Sequence, residues 1–534
     1  MLKTEFRKKY NKEEIYSRFV DTWKLADGTL ISKSRMCLKG FQEPIDDGEE
    51  SASPTAGRLS HRLVCHTAAQ NKWPIASMDV SVAFLKGFTF KELADKGINR
   101  KACAFNPPPG AWEIFFELDP VMFKEVMKDP SKWCIVLDKT AYGLRDAPLL
   151  WHLKARQEFT VLKYKSTRHD SCTFILRDSV TQVLLAILTL HVDDLLIAAE
   201  RYLIQQLHKQ LSSVFGELKL DLAKFKHFGV DIEQDPTTFA ITTSQASYIA
   251  ELKPIITTGR TNKTVAVPPE LVTEYRALVS AIAWVGVTSP QAIASASLLQ
   301  AALPQPLYSD IARVNENLAQ LSKTYKPLQY KFIPLPHRLL ELGDSSFANA
   351  GKYSQNGYLV MLCCKSDTQL CGEFCLLDFK SSKSKRVATS TMHAEALGTI
   401  AGIEAATFLQ TFLLELAEPQ ISSLQLLEPQ AHPKLVPITS CTDCEDLYSM
   451  LVALAQPGHS NKHLSLYIAA LREFKAVKRV EAWCWIDTRD MLANGLTKLN
   501  EDGQVPLEEL ESVLQKFYWK PSHPFKWNSV WSSA

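Results

Sequence analysis

The chain has 534 residues, roughly three or four domains' worth of sequence. Hydrophobic residues make up 46% and charged residues 22%, which excludes wholesale disorder, a collagen-like repeat and a disulfide miniprotein. With 60 basic against 58 acidic residues the net charge is only +2, so composition announces no polyanionic partner and any basic surface is local.

The N-terminus, MLKTEFRKKYNKEE, lacks the apolar core of a signal peptide, and no run approaches ~18 uninterrupted apolar residues. Twelve cysteines suit a reduced, intracellular chain. The expectation is a soluble multidomain protein without a membrane span. Residues 43–60, acidic and rich in small side chains, read as a loop. FNPPPGAW (105–112) is punctuation that neither a helix nor a central strand accepts. The run VLLAILTL (183–190), the word HVDD and the run LLIAA predict a hairpin with two carboxylates at its tip. TTGRTNKTVA (257–266) reads as a hinge, and helical spacing continues from about 270 to 325.

The last third alternates differently. RLLELG (338–343), GYLVML (357–362) and EFCLLDF (373–379) read as strands. Leu397, Ile400, Ala401, Ala405, Phe408, Leu409, Phe412 and Leu416 form the stripe of an amphipathic helix. LVPITSC (435–441) and RVEAWCWI (479–486) are further strands. This order predicts a mixed sheet flanked by helices, an α+β or α/β layer structure.

Asp193 and Asp194 place two like charges beside apolar strands, which raises both pKa values unless a cation intervenes. Paired Mg²⁺ ions held by Asp oxygens, activating one oxygen and stabilising another, give a reason to keep them ionised. Asp79, ending SMD, supplies a third carboxylate. A lone Asp–Asp pair is more often a solvated turn; its neighbouring words decide otherwise.

Those words resemble the reverse transcriptase–RNase H region of a copia-type LTR retrotransposon Pol polyprotein. KSRMCLKGF (33–41), MDVSVAFLKG (78–87), PPPG (107–110), AYGLRDAPLLW (141–151), RHDSCTF (168–174), HVDDLLI (191–197) and FGVDI (228–232) occur in the family's order. SQASYIAEL (244–252), LVSAIAWVGVTSP (278–290), GDSSFAN (343–349), STMHAEA (390–396), CTDCEDL (441–447), KHLSLYIAALRE (462–473) and DTRDMLANGLTK (487–498) follow. The resemblance covers roughly residues 20 to 500. It implies an α+β multidomain chain: a right-hand polymerase with fingers and palm over 1–255, a thumb or connection over 256–336, an RNase H-like α/β domain over 337–500 and a tail over 501–534. The missing gag, protease and integrase words imply a fragment or a shortened form of the usual polyprotein.

Carried onto this sequence, Asp79, Asp193 and Asp194 are the polymerase triad and metal ligands, and Asp344, Glu395 and Asp443 the RNase H catalytic and metal-binding set. Asp79 is then expected within ~10 Å of Asp193, the reach of a shared ion. Lys33 and Arg35 resemble the finger cations that hold a triphosphate, although exposed cations are common. Phe84 lies where a ring rejects a ribose 2′-OH, with an ordinary core Phe as the equal alternative. The resemblance implies RNA-directed DNA synthesis from dNTPs, with two Mg²⁺ per active site and Mn²⁺ as a substitute. It also implies an RNA template, a DNA primer and an RNA–DNA hybrid as partners, no membrane, and a cytoplasmic particle or the nucleus as location.

Three positions depart from the family. Asn494 stands where an aspartate is expected, which weakens the hold on a second RNase H metal; Asp487 or Asp490 is a candidate compensation. His191 replaces an aromatic and brings pH sensitivity. Asp146 replaces a glutamine and would repel a triphosphate unless it faces away. These favour an alternative, a catalytically impaired copy that retains the fold and nucleic-acid binding. Cys441 and Cys444 have no second matching pair for zinc. Cys363, Cys364, Cys371 and Cys375 read as core residues. KSSKSKR (380–386) is a backbone-contacting run or a solvated loop, and the aromatic tail FYWKPSHPFKW (517–527) reads as packing.

Overall fold

The structure is a computed structural model that describes residues 1–26, 29–43, 51–98, 100–257, 262–350, 353–428, 432–454, 462–498 and 508–529. Part of the acidic loop expected at 43–60, part of the hinge at 257–266 and parts of the tail lie outside the described residues. After a short helix, Lys3–Tyr10, comes a long antiparallel hairpin, β1 (Ile15–Ala26) and β2 (Thr29–Leu38). Helix α1 (Arg58–Asn71) is buried along most of its length and leads into β3 (Ile75–Asp79). Short strands β4 (Ala104–Asn106) and β5 (Ile135–Val136) complete a four-stranded sheet in the order β2-β1-β4-β5.

Helix α2 (Ala147–Val161) precedes β6 (Lys165–Ser166), β7 (Thr173–Arg177), β8 (Leu184–His191) and β9 (Asp194–Ala199). Helix α3 (Arg201–Phe215) and β10 (Lys219–Leu222) close a six-stranded antiparallel sheet ordered β10-β3-β9-β8-β7-β6. Leu188, Leu190, Leu195 and Ile197 pack with Trp151, Phe159, Leu207 and Leu211 from α2 and α3. Leu196 and Ala198, alternating to the opposite face, pack with Leu63, Val64 and Ala68 of α1. Central strands covered on both faces read as continuous apolar runs, which is why the hairpin is legible.

Strands β11 (Lys224–His227), β12 (Val230–Gln234) and β13 (Ile241–Ser244) follow. Helices α4 (Pro269–Val285), α5 (Pro290–Leu299) and α6 (Tyr308–Thr324) then gather around a core of their own. β14 (Leu328–Tyr330) returns to pair with β13.

The last sheet runs β17-β16-β15-β18-β19-β20. β15 (His337–Ala350), β16 (Tyr353–Cys364) and β17 (Phe374–Lys383) are antiparallel. Helix α7 (Thr391–Ala417) crosses back, so β18 (Ile438–Thr442) joins β15 in parallel. Helix α8 (Lys462–Ala476) precedes β19 (Val480–Trp485), parallel to β18, and β20 (Lys526–Ser529) covers the last edge. The expected β-β-β-α-β-α-β order is present.

Two sequence expectations need correction here. The strand read as RLLELG does not stop at 343; β15 runs on to Ala350, but parallel pairing to β18 stops at Leu342, so Asp344 lies just past that ladder. Helix α7 is not amphipathic. Phe408 on the expected stripe is exposed, whereas Ile403, Ala406, Thr411, Leu414 and Glu415 off it are buried. The helix is sandwiched between its own sheet and the preceding domain, so hydrophobic periodicity had no single face to report. By length and composition α7 could also cross a membrane, yet 67% of its most apolar window is buried inside the protein.

The sandwiching partner includes the RHDSCTF segment. The His169 ring stacks on Phe412 at 4.9 Å, and its Nδ1 lies 2.6 Å from Glu415 Oε2. The Arg168 backbone N–H donates to Glu415 Oε1 at 2.9 Å, and Arg177 donates to the carbonyl of Leu416 at 2.7 Å. Burial alone would raise the Glu415 pKa; the bonds from His169 and Arg168 outweigh it and lower it. Arg62 of α1, itself buried, donates to the Leu377 carbonyl at 3.1 Å and to Asp378 at 3.2 Å. These contacts fasten the first six-stranded sheet to the last.

The cysteines are free thiols. Cys363, Cys371 and Cys375 are buried and Cys364 half-buried, as core residues should be. Lys380–Lys383 lie within β17 rather than a loop, and Arg386 donates to the Tyr467 hydroxyl at 2.6 Å. The tail packs: Phe517 and Trp519 are buried.

Candidate active sites

The first carboxylate set is built by strand pairing. β3 and β9 run antiparallel with Asp79 directly opposite Asp194, which puts their Cα atoms about 4.5–5.5 Å apart. β8 and β9 are joined through the two residues Val192 and Asp193, because His191 pairs with Asp194. Val192 takes φ 58°, the left-handed conformation that tight hairpin turns demand. Two hydrogen bonds hold the turn: Trp151 Nε1 donates to the Val192 carbonyl at 2.6 Å, and the Val80 N–H donates to the Asp193 carbonyl at 3.1 Å. Asp79 is therefore well inside the distance required of a shared ion.

Burial, followed by the charges of Asp193 and Asp79, pushes Asp194 up to about 6. Asp193 is also raised, by burial and Asp79, while Arg35 and His191 oppose the shift. A divalent cation would relieve that repulsion, so the donor set fits one. The half-buried His191 is held below the ordinary imidazole pKa by burial, and its ring centroid lies 3.7 Å from that of Phe228. Burial outweighs the opposing pull of Asp193, so the expected pH sensitivity of His191 moves to more acidic pH.

Side chains from the β1–β2 hairpin and the loop before α2 lie near this turn. Arg35 approaches the Tyr142 ring at 5.9 Å, and Tyr142 packs 5.3 Å from Phe84. Asp193 and Asp79 raise the Tyr142 pKa after burial, and Arg35 lowers it, so Arg35, Tyr142, Phe84 and the carboxylates share one neighbourhood. Lys33 is exposed on β2, two residues from Arg35 and so on the same strand face. Phe84 sits in a 3-10 turn at the rim of two core clusters, neither buried nor free. Gly143, at φ +98°, lies tight against β2: a Cβ there would fall 2.0 Å from the Leu38 carbonyl oxygen. Tyr142 went unnoticed in the sequence, although it lies inside a quoted motif beside that glycine.

Asp146 faces a buried cation rather than open solvent. Arg100 pairs with it at 2.6 Å and with Glu43 at 2.6 Å, its side chain only 8% exposed. Burial would lower the guanidinium pKa, but Glu43 and Asp146 outweigh it and raise it. The acid faces a buried arginine that nothing in the sequence pattern linked to it.

The second carboxylate set is tighter. Asp344, Glu395 and Asp443 each bring a ligand oxygen within 4.8 Å of the others, the one such group of three among the described residues. The palm carboxylates, though paired across one ladder, are not gathered that closely. Asp344 is fully buried and Glu395, in the first turns of α7, nearly so. Asp344 Oδ1 and Glu395 Oε2 are buried without a hydrogen-bond donor. Burial, then Asp344 and Asp443, push Glu395 up to about 9. Asp443 is raised by burial and Asp344. Orphaned buried oxygens at mutual contact distance fit a divalent cation.

The two compensating acids proposed from sequence are otherwise engaged. Asp490 accepts from the backbone N–H groups of Ser522 and His523 at 3.0 and 2.8 Å, anchoring the tail. Asp487 pairs with Arg489 at 2.8 Å. Neither belongs to the acidic group. Asn494 lies at the edge of the site, where Lys498 reaches its Oδ1.

The chain thus joins an antiparallel six-stranded sheet that carries a carboxylate hairpin to a mixed six-stranded sheet that carries a second acidic centre. Residues 110–269 match the family described as "Reverse transcriptase (RNA-dependent DNA polymerase)". The chain is 25% identical over 413 residues to the retrovirus-related Pol polyprotein from transposon RE1 of Arabidopsis thaliana, covering 73% of this chain and 24% of that one. It is 25% identical over 501 residues to that from transposon RE2 of the same plant, covering 89% and 30%. For transposon TNT 1-94 of Nicotiana tabacum the figures are 30% identity over 219 residues, 41% and 14%. The chain thus spans less than a third of the length of these relatives. Among solved structures it is similar to LC11-RNase H1 from compost, at 13% identity and TM-score 0.21, covering 30% of this chain and 92% of that one. It is also similar to a foamy viral protease–reverse transcriptase in complex with dsDNA, at 12% identity and TM-score 0.21, covering 86% and 73%. The copia-type resemblance read from the motifs accords with the Pol polyprotein relatives.

Proposed function

We propose that the chain is an RNA-directed DNA polymerase of a retrotransposon, extending a DNA primer with dNTPs, and that its C-terminal domain cleaves RNA in the RNA–DNA hybrid. In this reading residues 1–255 are fingers and palm, 256–336 thumb or connection, 337–500 the RNase H-like domain and 501–534 the tail. The observation that carries it is Asp79 opposite Asp194 across β3 and β9, with Asp193 in the turn between β8 and β9. Asp79, Asp193 and Asp194 would hold divalent cations, Mg²⁺ or Mn²⁺; bound there, such ions supply charge neutralisation for the triphosphate and acidify the primer 3′-OH. Lys33 and Arg35 bind the triphosphate from the fingers. Phe84, backed by Tyr142, presents an edge to the sugar and rejects a 2′-OH by contact. Template and hybrid are recognised through backbone and shape.

The reading of an impaired copy is weakened on one ground, because Asp146 is paired with the buried Arg100. Asn494 remains, and bears on the RNase H-like site alone. Primer extension by the purified chain on an RNA template with Mg²⁺ tests the polymerase. Incorporation is expected, and Asp193→Asn should abolish it while primer–template binding persists. A wild-type chain that binds the duplex and incorporates nothing would refute the assignment. Cleavage of a labelled hybrid, lost in Glu395→Gln, tests the second activity separately.

A further inference from the structure

The segment Ala493–Asn494–Gly495–Leu496–Thr497–Lys498 closes the second carboxylate set, and its last residue brings a charge that the sequence reading did not weigh. A 3-10 turn over Leu492–Leu496 folds the segment against β15 and β16. Thr497 Oγ1 donates to Asp344 Oδ2, which leaves Asp344 Oδ1 open toward the site. Lys498 then reaches in from the rim. Its Nζ lies 2.5 Å from Asn494 Oδ1 and 3.6 Å from Asp344 Oδ1. Asp344 is 0% exposed whereas the Lys498 side chain is 42% exposed, so the stem spans from solvent to the buried acid.

The orientation of Asn494 is fixed from behind. Its Nδ2 donates to the Thr488 carbonyl at 2.8 Å, which turns Oδ1, an acceptor only, toward the ammonium. The ammonium acts on all three carboxylates. It pairs with Asp344, and it counters the rise that burial and neighbouring acids impose on Glu395 and Asp443.

Charge balance gives this arrangement its meaning. An aspartate at 494, as the family resemblance implies, would make a fourth carboxylate, and four negative charges are matched by two divalent cations. Here asparagine removes one negative charge, and the Lys498 ammonium at the end of the same segment offsets another. Three carboxylates and one ammonium leave two net negative charges, matched by one divalent cation. We propose that the Lys498 ammonium, oriented by Asn494, takes the position of the second cation, so that this site binds one divalent ion and carries its other positive charge on the chain. The inference rests on the reading of Asp344, Glu395 and Asp443 as a metal-binding set.

Counting ions tests it. The full-length chain carrying Asp193→Asn and Asp194→Asn, both outside this site, suppresses binding in the palm, and Mn²⁺ is titrated with the free ion followed by electron paramagnetic resonance. One Mn²⁺ per chain is expected, rising to two when Asn494→Asp and Lys498→Met are added. Lys498→Met alone alters a side chain at the rim rather than in the core, and should tighten the single ion at least tenfold. Two ions bound with Asn494 and Lys498 intact would overturn the inference and leave the metal-site reading standing. So would one ion of unchanged affinity in every variant. No ion in any variant would remove the metal-site reading, and the inference with it.

Discussion

Glu341 is a carboxyl group in the middle of a sheet. It is 0% exposed, its Oε2 accepts from Ser440 Oγ at 2.5 Å, and its Oε1 has no hydrogen-bond partner. The space exists because residue 402 is glycine: a Cβ there would sit 1.9 Å from Glu341 Oε1. Burial pushes this carboxyl from 4.5 up to about 8, against the opposing hydrogen bond from Ser440. The folded state therefore holds a proton that the unfolded state releases, and its contribution to stability is complete below about pH 4.5 and lost as pH climbs toward 8. At about 1.36 kcal/mol per pKa unit, three units between 4.5 and 7.5 make the loss of order 4 kcal/mol at pH 7.5. Glu341→Gln keeps the shape and the Ser440 bond but carries no titrating group. The variant should match the wild type within about 1 kcal/mol at pH 5 and exceed it by about 4 kcal/mol at pH 7.5. Because a chain with several cores need not unfold in one step, the assay is native-state hydrogen exchange of the β15–β18 ladder amides across that pH range. Parallel pH profiles for the two chains would refute the argument and mean that Glu341 is ionised in place.

Two further outcomes follow from contacts near the palm. Trp151→Phe removes the N–H that holds the Val192 carbonyl; an unpaired buried carbonyl costs about 1–3 kcal/mol, so the primer-extension kcat should fall about tenfold or more with primer–template affinity unchanged, and a kcat within twofold of wild type would show that the turn holds itself. Arg100→Met strands Glu43 and Asp146 in a largely buried pocket and should destabilise by about 3–5 kcal/mol, seen as a lower thermal transition; adding Asp146→Asn should recover part of the loss, and no recovery would mean that the arginine stem, not its charge, matters.

What the sequence made legible, and what it did not, divides along the range of the interactions. The Asp193–Asp194 hairpin was readable because its strands are covered on both faces and its turn is local. Strands β15 to β19 were readable for similar reasons. The burial of α7 was not, because a helix packed on several sides loses its stripe. Asp490 looked like a spare ligand until the tail, more than 30 residues on, took both its oxygens. Asp146 looked like a liability because its partner Arg100 lies 46 residues earlier. Lys498 was quoted within a motif and given no role, since only folding brings its ammonium to Asp344. For these three residues the missing fact was a polar partner distant in sequence or brought near only by folding, which strand and helix periodicity does not encode.

The seam through His169, Glu415, Arg177 and Arg62 has a metric consequence. It ties the carboxylate hairpin of the palm to the helix that carries Glu395, so the two acidic centres keep one separation. A duplex lying across both would be gauged like wire between caliper jaws. Under the proposed function, scission would trail the growing end by a constant number of nucleotides, and loosening the seam would blur that interval before it slowed either proposed reaction.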